Sequence, residues 1–434
     1  MGPVTIGIIG VVALVVLFLL RMPVGFAMAF VGLIGFSCLV SPEAGFSILA
    51  RDIFHGFSSY SLTVIPMFVF MGSIATASRM SQRLYDASYS LLGRLRGGLA
   101  MATVAGCAGF AAICGSTNAT AAAMGKVALP EMKRYKYADS LATGSVAAAG
   151  SLGILIPPST IFIIYGIMTA QSIGKLFIAG VFPGLILATL FIMVIAILCW
   201  RNPSLAPVGA ATSWRQRITG LVGVTETLVL FALVIIGLFL GWFSPTQAGG
   251  AGAAGALLIG LATRQLTWQA FLSAVKDALR ISCMVMVIVV GAMVFGHFMA
   301  VTRIPFILAD WVVGLPLPSM AIMGIIVLIY ILGGCFMDAL ALITLTIPIL
   351  YPVVLALSFD PIWFGVIIVL VTEMGVITPP VGVNVYVIKG ITEDVSLETI
   401  FKGILPFLGA LIVTVGILMG FPKIATFLPS LTSY

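Results

Sequence analysis

The sequence predicts an all-α polytopic membrane protein built from two inverted-topology repeats. Each repeat holds a re-entrant helical hairpin and a broken transmembrane helix. Three observations carry this. The 434 residues are 61% hydrophobic and only 8% charged, with a mean hydropathy of +1.23, whereas soluble domains carry about 25% charged residues. Basic residues cluster in short loops at intervals that a simple in-and-out path does not satisfy. Finally, "GILIPPS" at 153–159 and "GVITPPV" at 375–381 each set a Pro-Pro pair inside an apolar run.

The apolar runs come first. Gly7–Leu20, Leu176–Leu198, Leu228–Trp242 and Leu405–Gly420 are essentially uncharged, and each extends towards the roughly 20 residues that cross a bilayer. The opening "MGPVTIGIIGVVALVVLFLLRMP" lacks the basic n-region of a secretory signal, its first positive charge, Arg21, following the apolar run, so it reads as a retained first span. The net charge of +7 comes from loop residues such as Arg79, Arg94, Arg96, Lys133, Arg134, Arg215 and Lys276. That distribution marks cytoplasmic loops and gives no reason to expect nucleic acid. Arg51, Lys175, Arg303 and Lys423 then fall outside.

With the N-terminus on the periplasmic side, spans at 3–20, 23–41 and 61–78 lead to an amphipathic inner surface helix at 79–96. The next apolar stretch, 99–128, has Arg94 and Arg96 before it and Lys133, Arg134 and Lys136 after it. A single crossing strands one cluster outside, so the stretch is expected to dip and return, with "CGSTNAT" (114–120) at its tip. A broken helix at 138–168 and a span at 176–200 complete a first repeat, 1–200. Residues 201–221 form a polar cytoplasmic linker. The second repeat, 222–434, inverts the plan: spans at 222–243 and 246–263, an inner surface helix at 264–280 and a span at 281–300. After these come an outer surface helix at 303–318, an outer hairpin at 320–352 with "GGCFMDA" (333–339) near its tip, a broken helix at 361–388 and a last span at 403–421. Tip precedes break by nearly the same interval in both halves, as an internal repeat requires.

Irregular backbone at membrane depth is tolerated only beside protein or a watery cavity. Gly and Pro-Pro free carbonyl oxygens, the tips add hydroxyls, and hard cations favour oxygen ligands. Two cation sites are therefore expected, with sodium as the ion. The first draws on Ser116, Thr117, Asn118 and Thr120, with carbonyls near Gly150, Gly153 and Pro157. The second draws on Gly334, Gly375, Thr378 and Val381. Helix N-termini suit a carboxylate, which places Thr120, Ser159, Thr160 and Asn384 against an anionic substrate. Asp338 and Glu373 are acids beside the second tip and break, with a proton-accepting or site-orienting role weighed against a structural one.

Six scattered cysteines suggest neither disulfides nor zinc, and His55 and His297 read as loop or packing residues. There is no HExxH, GxSxG or Walker-type loop. Enzyme chemistry and a nucleotide cofactor are not expected, and energy has to come from an ion gradient or another subunit.

"GSTNATAAAMGKVALPEMKRYKY", "ATGSVAAAGSLGILIPPSTIFIIYG" and "SIGKLFIAGVFPG", with "GGCFMDALALITLTIPILYPV" and "DPIWFGVIIVLVTEMGVITPPVGVNVYV", resemble the large membrane subunit of tripartite ATP-independent periplasmic (TRAP) transporters. The likeness spans essentially the whole chain. It implies an elevator-type, sodium-driven importer of an organic acid in the bacterial inner membrane. It also implies two partners, a separate small four-helix membrane subunit and a soluble periplasmic substrate-binding protein. The family's second sodium site maps to Gly334, Gly375, Thr378 and Val381, and its first falls around Ser116, Thr117, Gly153 and Pro157. The alternative is a free-standing sodium–dicarboxylate symporter of similar architecture without a binding protein.

Overall fold

In a computed structural model of the chain, residues 2–207 and 214–432 are described, with backbone alone for 214–223. The centre of the 201–221 linker, residues 208–213, lies outside the described residues. All regular structure among the described residues is helical.

The first half opens with α1 (Pro3–Leu19) and α2 (Val24–Leu39), followed by α3 (Pro42–Ser58), α4 (Val64–Ala77) and α5 (Met80–Leu92). The stretch between the expected spans at 23–41 and 61–78, to which the sequence reading assigned no element, forms α3. Ser41 caps that helix by accepting from the Ala44 amide at 3.2 Å, and Pro42 and Glu43 suit a first turn. Arg51, Asp52 and His55 interrupt its apolar pattern, which hides it from a hydropathy reading.

A hairpin follows, α6 (Gly98–Cys114) and α7 (Thr117–Arg134). The broken helix is α8 (Asp139–Leu155) and α9 (Thr160–Thr169), and α10 (Ile173–Arg201) closes the half. In the second half α11 (Trp214–Phe239), α12 (Pro245–Ala262), α13 (Trp268–Thr302) and α14 (Ile304–Val313) precede a hairpin of α15 (Ser319–Gly334) and α16 (Ala339–Ala356). Another broken helix, α17 (Pro361–Ile377) and α18 (Val383–Ile391), leads to α19 (Leu397–Gly420) and α20 (Lys423–Ser430). Two expected elements merge: the surface helix at 264–280 and the span at 281–300 are one helix, α13. No Gly or Pro lies between Trp268 and Val290 to interrupt its 35 residues, so it runs on for about 50 Å.

Six helical stretches among the described residues are long and apolar enough to cross a membrane, while α1, α2, α6, α15 and α17 are shorter apolar helices. Of these, α6 and α15 are hairpin arms and α17 is half of a broken helix, elements that need not cross a bilayer alone. The 139–169 stretch, which contains the first break, is buried throughout its most apolar window.

The helices group into two bodies. In the outer one, α2 lies along α13, α4 packs on α12 and α13, and α1 and α3 flank α2. Small residues permit this closeness: a Cβ on Gly291 would stand 2.1 Å from the Gly25 carbonyl oxygen. The inner body holds both hairpins and both broken helices, with α8 and α17 crossing at its centre. Its halves interlock: α9 lies on the second hairpin's arm α16, and α18 lies on the first hairpin's arm α7. Surface helices bridge the bodies in matching ways, α5 between α6 and α11, and α14 between α16 and α13.

Candidate functional site: two hairpin tips against two broken helices

The first crossing is built on Gly115. It ends α6 with a left-handed φ of +63°, a conformation glycine adopts without strain. A Cβ there would be 2.6 Å from the Pro158 carbonyl oxygen, so the tip presses directly on the break. Thr160 fastens the contact, donating to the Gly115 carbonyl from its amide at 3.5 Å and its hydroxyl at 3.1 Å. Pro157 and Pro158 bring no N–H, so the carbonyls of Gly153 and Ile154 lose the donors a continuing helix would supply. Gly153 has no room for a side chain: a Cβ would meet the Ser116 carbonyl oxygen at 2.6 Å and Thr120 Oγ1 at 2.9 Å. Thr117 Oγ1 and Thr120 Oγ1 are buried with no hydrogen-bond partner.

The second crossing repeats the design. The Val381 amide donates to the Cys335 carbonyl at the tip, 3.2 Å away. Gly334 and Gly375 meet backbone to backbone, where a Cβ on Gly375 would stand 2.4 Å from the Gly334 Cα. Pro379 and Pro380 withhold donors from Gly375 and Val376. Gly375 compensates by accepting from the Thr378 amide at 3.1 Å, and the Thr378 hydroxyl donates to the Met374 carbonyl. One asymmetry stands out. Pro157 and Pro158 are buried, whereas Pro379, Pro380 and Val381 are exposed.

Ser116, Thr117, Thr120, Gly153 and Pro157 therefore gather at one crossing, and Gly334, Gly375, Thr378 and Val381 at the other. Several expected residues lie elsewhere. Gly150 sits inside unbroken α8 and packs on Ala121 of α7, so the helical ladder keeps its carbonyl. Asn118 is exposed, because the register of α7 turns Thr117 and Thr120 inward and Asn118 away. Ser159 is fully buried and caps α9 by accepting from the Phe162 amide at 3.3 Å. Thr160 is the fastener described above. Asn384, also buried, donates to the Ala147 carbonyl of α8 at 3.1 Å, while its Oδ1 has no partner. Asp338 is exposed and caps α16 through the Leu340 amide at 3.1 Å. Glu373 is fully buried on α17, with both carboxyl oxygens unpartnered.

Two ion pairs and an Asp–His contact lie outside the sequence reading. Asp52 on α3 meets His297 on α13 at 3.2 Å. Arg83 on α5 meets Glu226 on α11 at 2.9 Å. Lys133 at the end of α7 pairs with Asp394 beyond α18, and the hydrogen bond from Lys133 holds the Asp394 carboxyl below its ordinary value. Each joins segments remote in sequence, which one-dimensional patterning does not report.

Freed carbonyls, inward hydroxyls and space too tight for a methyl group form a donor set suited to a small, hard cation. The described residues contain no cluster of three His, Cys, Asp or Glu able to hold a metal.

Comparison with known proteins agrees over nearly the full length. The family described as "Tripartite ATP-independent periplasmic transporter, DctM component" matches residues 11–424. A C4-dicarboxylate TRAP transporter large permease protein from Pseudomonas aeruginosa is 35% identical, over 90% of this chain and 91% of its own. A sialic acid TRAP transporter large permease from Vibrio cholerae is 30% identical, over 94% and 95%. An ectoine/5-hydroxyectoine large permease from Ruegeria pomeroyi is also 30% identical, over 96% and 97%. Among solved structures, the Alcanivorax borkumensis YdaH transporter superposes with a TM-score of 0.64 over 91% of each chain at 15% identity, a likeness of fold.

Proposed function

Since the chain belongs to the DctM-component family of tripartite ATP-independent periplasmic transporters, we propose that it imports an organic acid by sodium-coupled elevator motion. It is a multi-pass inner-membrane transport protein and not an enzyme. In this reading the N-terminus is periplasmic, a soluble binding protein delivers the solute, and a small membrane subunit braces the outer body. Relatives named for C4-dicarboxylate, sialic acid and ectoine support a small carboxylate-bearing solute as the substrate.

The observation that carries the proposal is the doubled contact of tip and break. Sodium is a transported co-substrate here. Ser116, Thr120 and Gly153 would hold one ion, and Gly334, Gly375, Thr378 and Val381 another. The two tips are hydrogen-bonded to the two breaks, so charge bound there tightens the inner body as one unit. The exposed second break is the natural approach for solute. A cavity of about 400 Å³ separates the bodies, lined by Met293 and His297 of α13 on one wall and by Ile167, Ile347 and Tyr351 on the other. That loosely filled seam is where sliding would occur.

The test is uptake by proteoliposomes holding this chain with both partners, using the organic acid that the soluble partner binds. Accumulation is expected only with all three components and an inward sodium gradient. Equal uptake with potassium replacing sodium would remove the coupling, and uptake without the binding protein would favour a free-standing symporter.

A further inference from the structure

Lys126 stands midway along α7, eight residues from Asn118 beside the tip and eight from the helix end at Arg134. Each interval spans about 12 Å, so the ammonium is carried well inside the hairpin arm. Lys126 is exposed, and none of the ion pairs among the described residues includes it. A charge at membrane depth is kept where it meets water or a partner, not hydrocarbon.

The face around Lys126 is not built for lipid. At helical spacing Asn118, Ala122, Lys126 and Pro130 form one stripe, and the exposed residues of α7 include no large apolar side chain. Helices that present such side chains outward look different: α10 exposes Leu185, Met193 and Ile197, and α19 exposes Leu405, Ile412 and Val413. Gly125, next to Lys126, packs on α18, where an added Cβ would meet Ile391 at 3.0 Å and Ile388 at 3.2 Å. That contact seats α18 beside the stripe. Helix α18 turns Tyr386 and Gly390 outward, just after the exposed Pro379, Pro380 and Val381 of the second break. Residues 117–130 and 379–391 contain no acid. The other cation of these stretches, Lys389, is occupied, donating to the Glu393 and Val395 carbonyls at 2.7 and 2.8 Å.

We propose that Lys126 is a selectivity residue on the solute's route between the second break and the cytoplasm. Its ammonium concentrates carboxylates in a water-filled vestibule walled by α7 and α18. The inference rests on the organic-acid reading above and deepens it. An anion leaving the second break meets this charge before it reaches Lys133 and Asp394, which are already paired with each other. A fixed charge beside the route raises the local concentration of anions and their rate of arrival from that side. It does so without belonging to the site at the break.

The first test uses charged thiol reagents, so it needs no knowledge of the solute. In a cysteine-free background, Ala122→Cys puts a thiol one turn from Lys126 on the same stripe, and Asn118→Cys supplies a second. Rates with anionic sulfonatoethyl methanethiosulfonate and cationic trimethylammonioethyl methanethiosulfonate are measured on the full chain from the cytoplasmic face. Both reagents should react. Lys126→Gln should lower the anion-to-cation rate ratio about fivefold and Lys126→Glu should lower it further, while Lys126→Arg should keep it. Added salt should shrink the difference. Transport is then read in proteoliposomes holding both partners, with succinate, sialic acid and ectoine tried in turn. K126Q is expected to raise the half-saturating concentration at the cytoplasmic face about fivefold and to leave that at the periplasmic face unchanged. A folding defect would not produce that split.

Thiols at 118 and 122 that ignore both reagents would mean that the stripe faces lipid or protein, and would overturn the proposal. A rate ratio unmoved by K126Q, or half-saturation shifted equally at both faces, would also overturn it. A wild type that carries none of the three solutes would sink the organic-acid reading, while the rate ratio still decides the role of Lys126 by itself.

Discussion

A methyl group at position 375 would stand 2.4 Å from the Gly334 Cα, against backbone that has no rotamer to yield. Gly375→Ala and Gly334→Ala are therefore predicted to push α15 from α17 and to cut uptake more than about tenfold. Gly409→Ala and Gly416→Ala on α19 are the controls, since nothing lies within 4 Å of either added Cβ, and both should transport like wild type. A different residue-scale effect belongs to Lys133 and Asp394. Asp394 has its pKa lowered and Lys133 has its pKa raised by their mutual hydrogen bond. The aspartate contribution is thus complete above the ordinary carboxylate range and lost as pH falls through the lowered value. The lysine contribution persists below the ordinary lysine range and is lost as pH rises through the raised value. Asp394→Asn should melt slightly below wild type at neutral pH and match it in acid, a small gap because the pair is exposed. The close contacts of tip and break were readable at this scale, because Gly and Pro advertise close approach and missing N–H groups. The sequence names a hydroxyl- and amide-rich tip but does not show that α7 turns Thr117 and Thr120 inward and leaves Asn118 exposed.

The hairpins and breaks are the elements on which the fold depends, and local rules locate them well. Flanking cations mark the first hairpin, and Pro-Pro pairs mark both breaks. Elements without such signals were misjudged: α3 hides its helical face behind Arg51, Asp52 and His55, and α13 continues where a surface helix and a span were expected to part. Hydropathy measures partition into lipid, not helix continuity, so it divides α13 where polarity changes. In a cysteine-free background, Arg94→Cys and Lys133→Cys should both react with a membrane-impermeant maleimide from the cytoplasmic face. Labelling from opposite faces would mean that α6 and α7 do not form a re-entrant hairpin. Pro380→Ala returns an N–H opposite the Val376 carbonyl. It is predicted to extend α17, weaken the contact of Val381 with Cys335, and raise the sodium concentration needed for half-maximal uptake by about tenfold or more.

For the whole molecule, composition alone established the membrane class, and the tandem spacing of tip and break established two repeats. What the sequence did not show is how those repeats interlock. The seating of α9 on α16 and of α18 on α7 joins residues from opposite halves, including Gln171 with Tyr351 at 3.1 Å and Lys133 with Asp394. Such pairings depend on three-dimensional packing with no local signature. They make the inner body one unit, and the cavity beside α13 marks its border with the outer body. A disulfide between Met293→Cys and Ile347→Cys, both lining that border, should stop uptake until it is reduced. Undiminished uptake with the bond formed would mean that the two bodies do not slide past each other there.

The paired crossings of tip and break are the centre of this account, and counting bound sodium tests them most directly. Equilibrium binding of radioactive sodium to the purified chain, competed with potassium, is predicted to give more than one ion per chain. Thr120→Ala and Thr378→Ala should each lower that count. Absence of sodium-selective binding, or the same count in wild type and both variants, would contradict it.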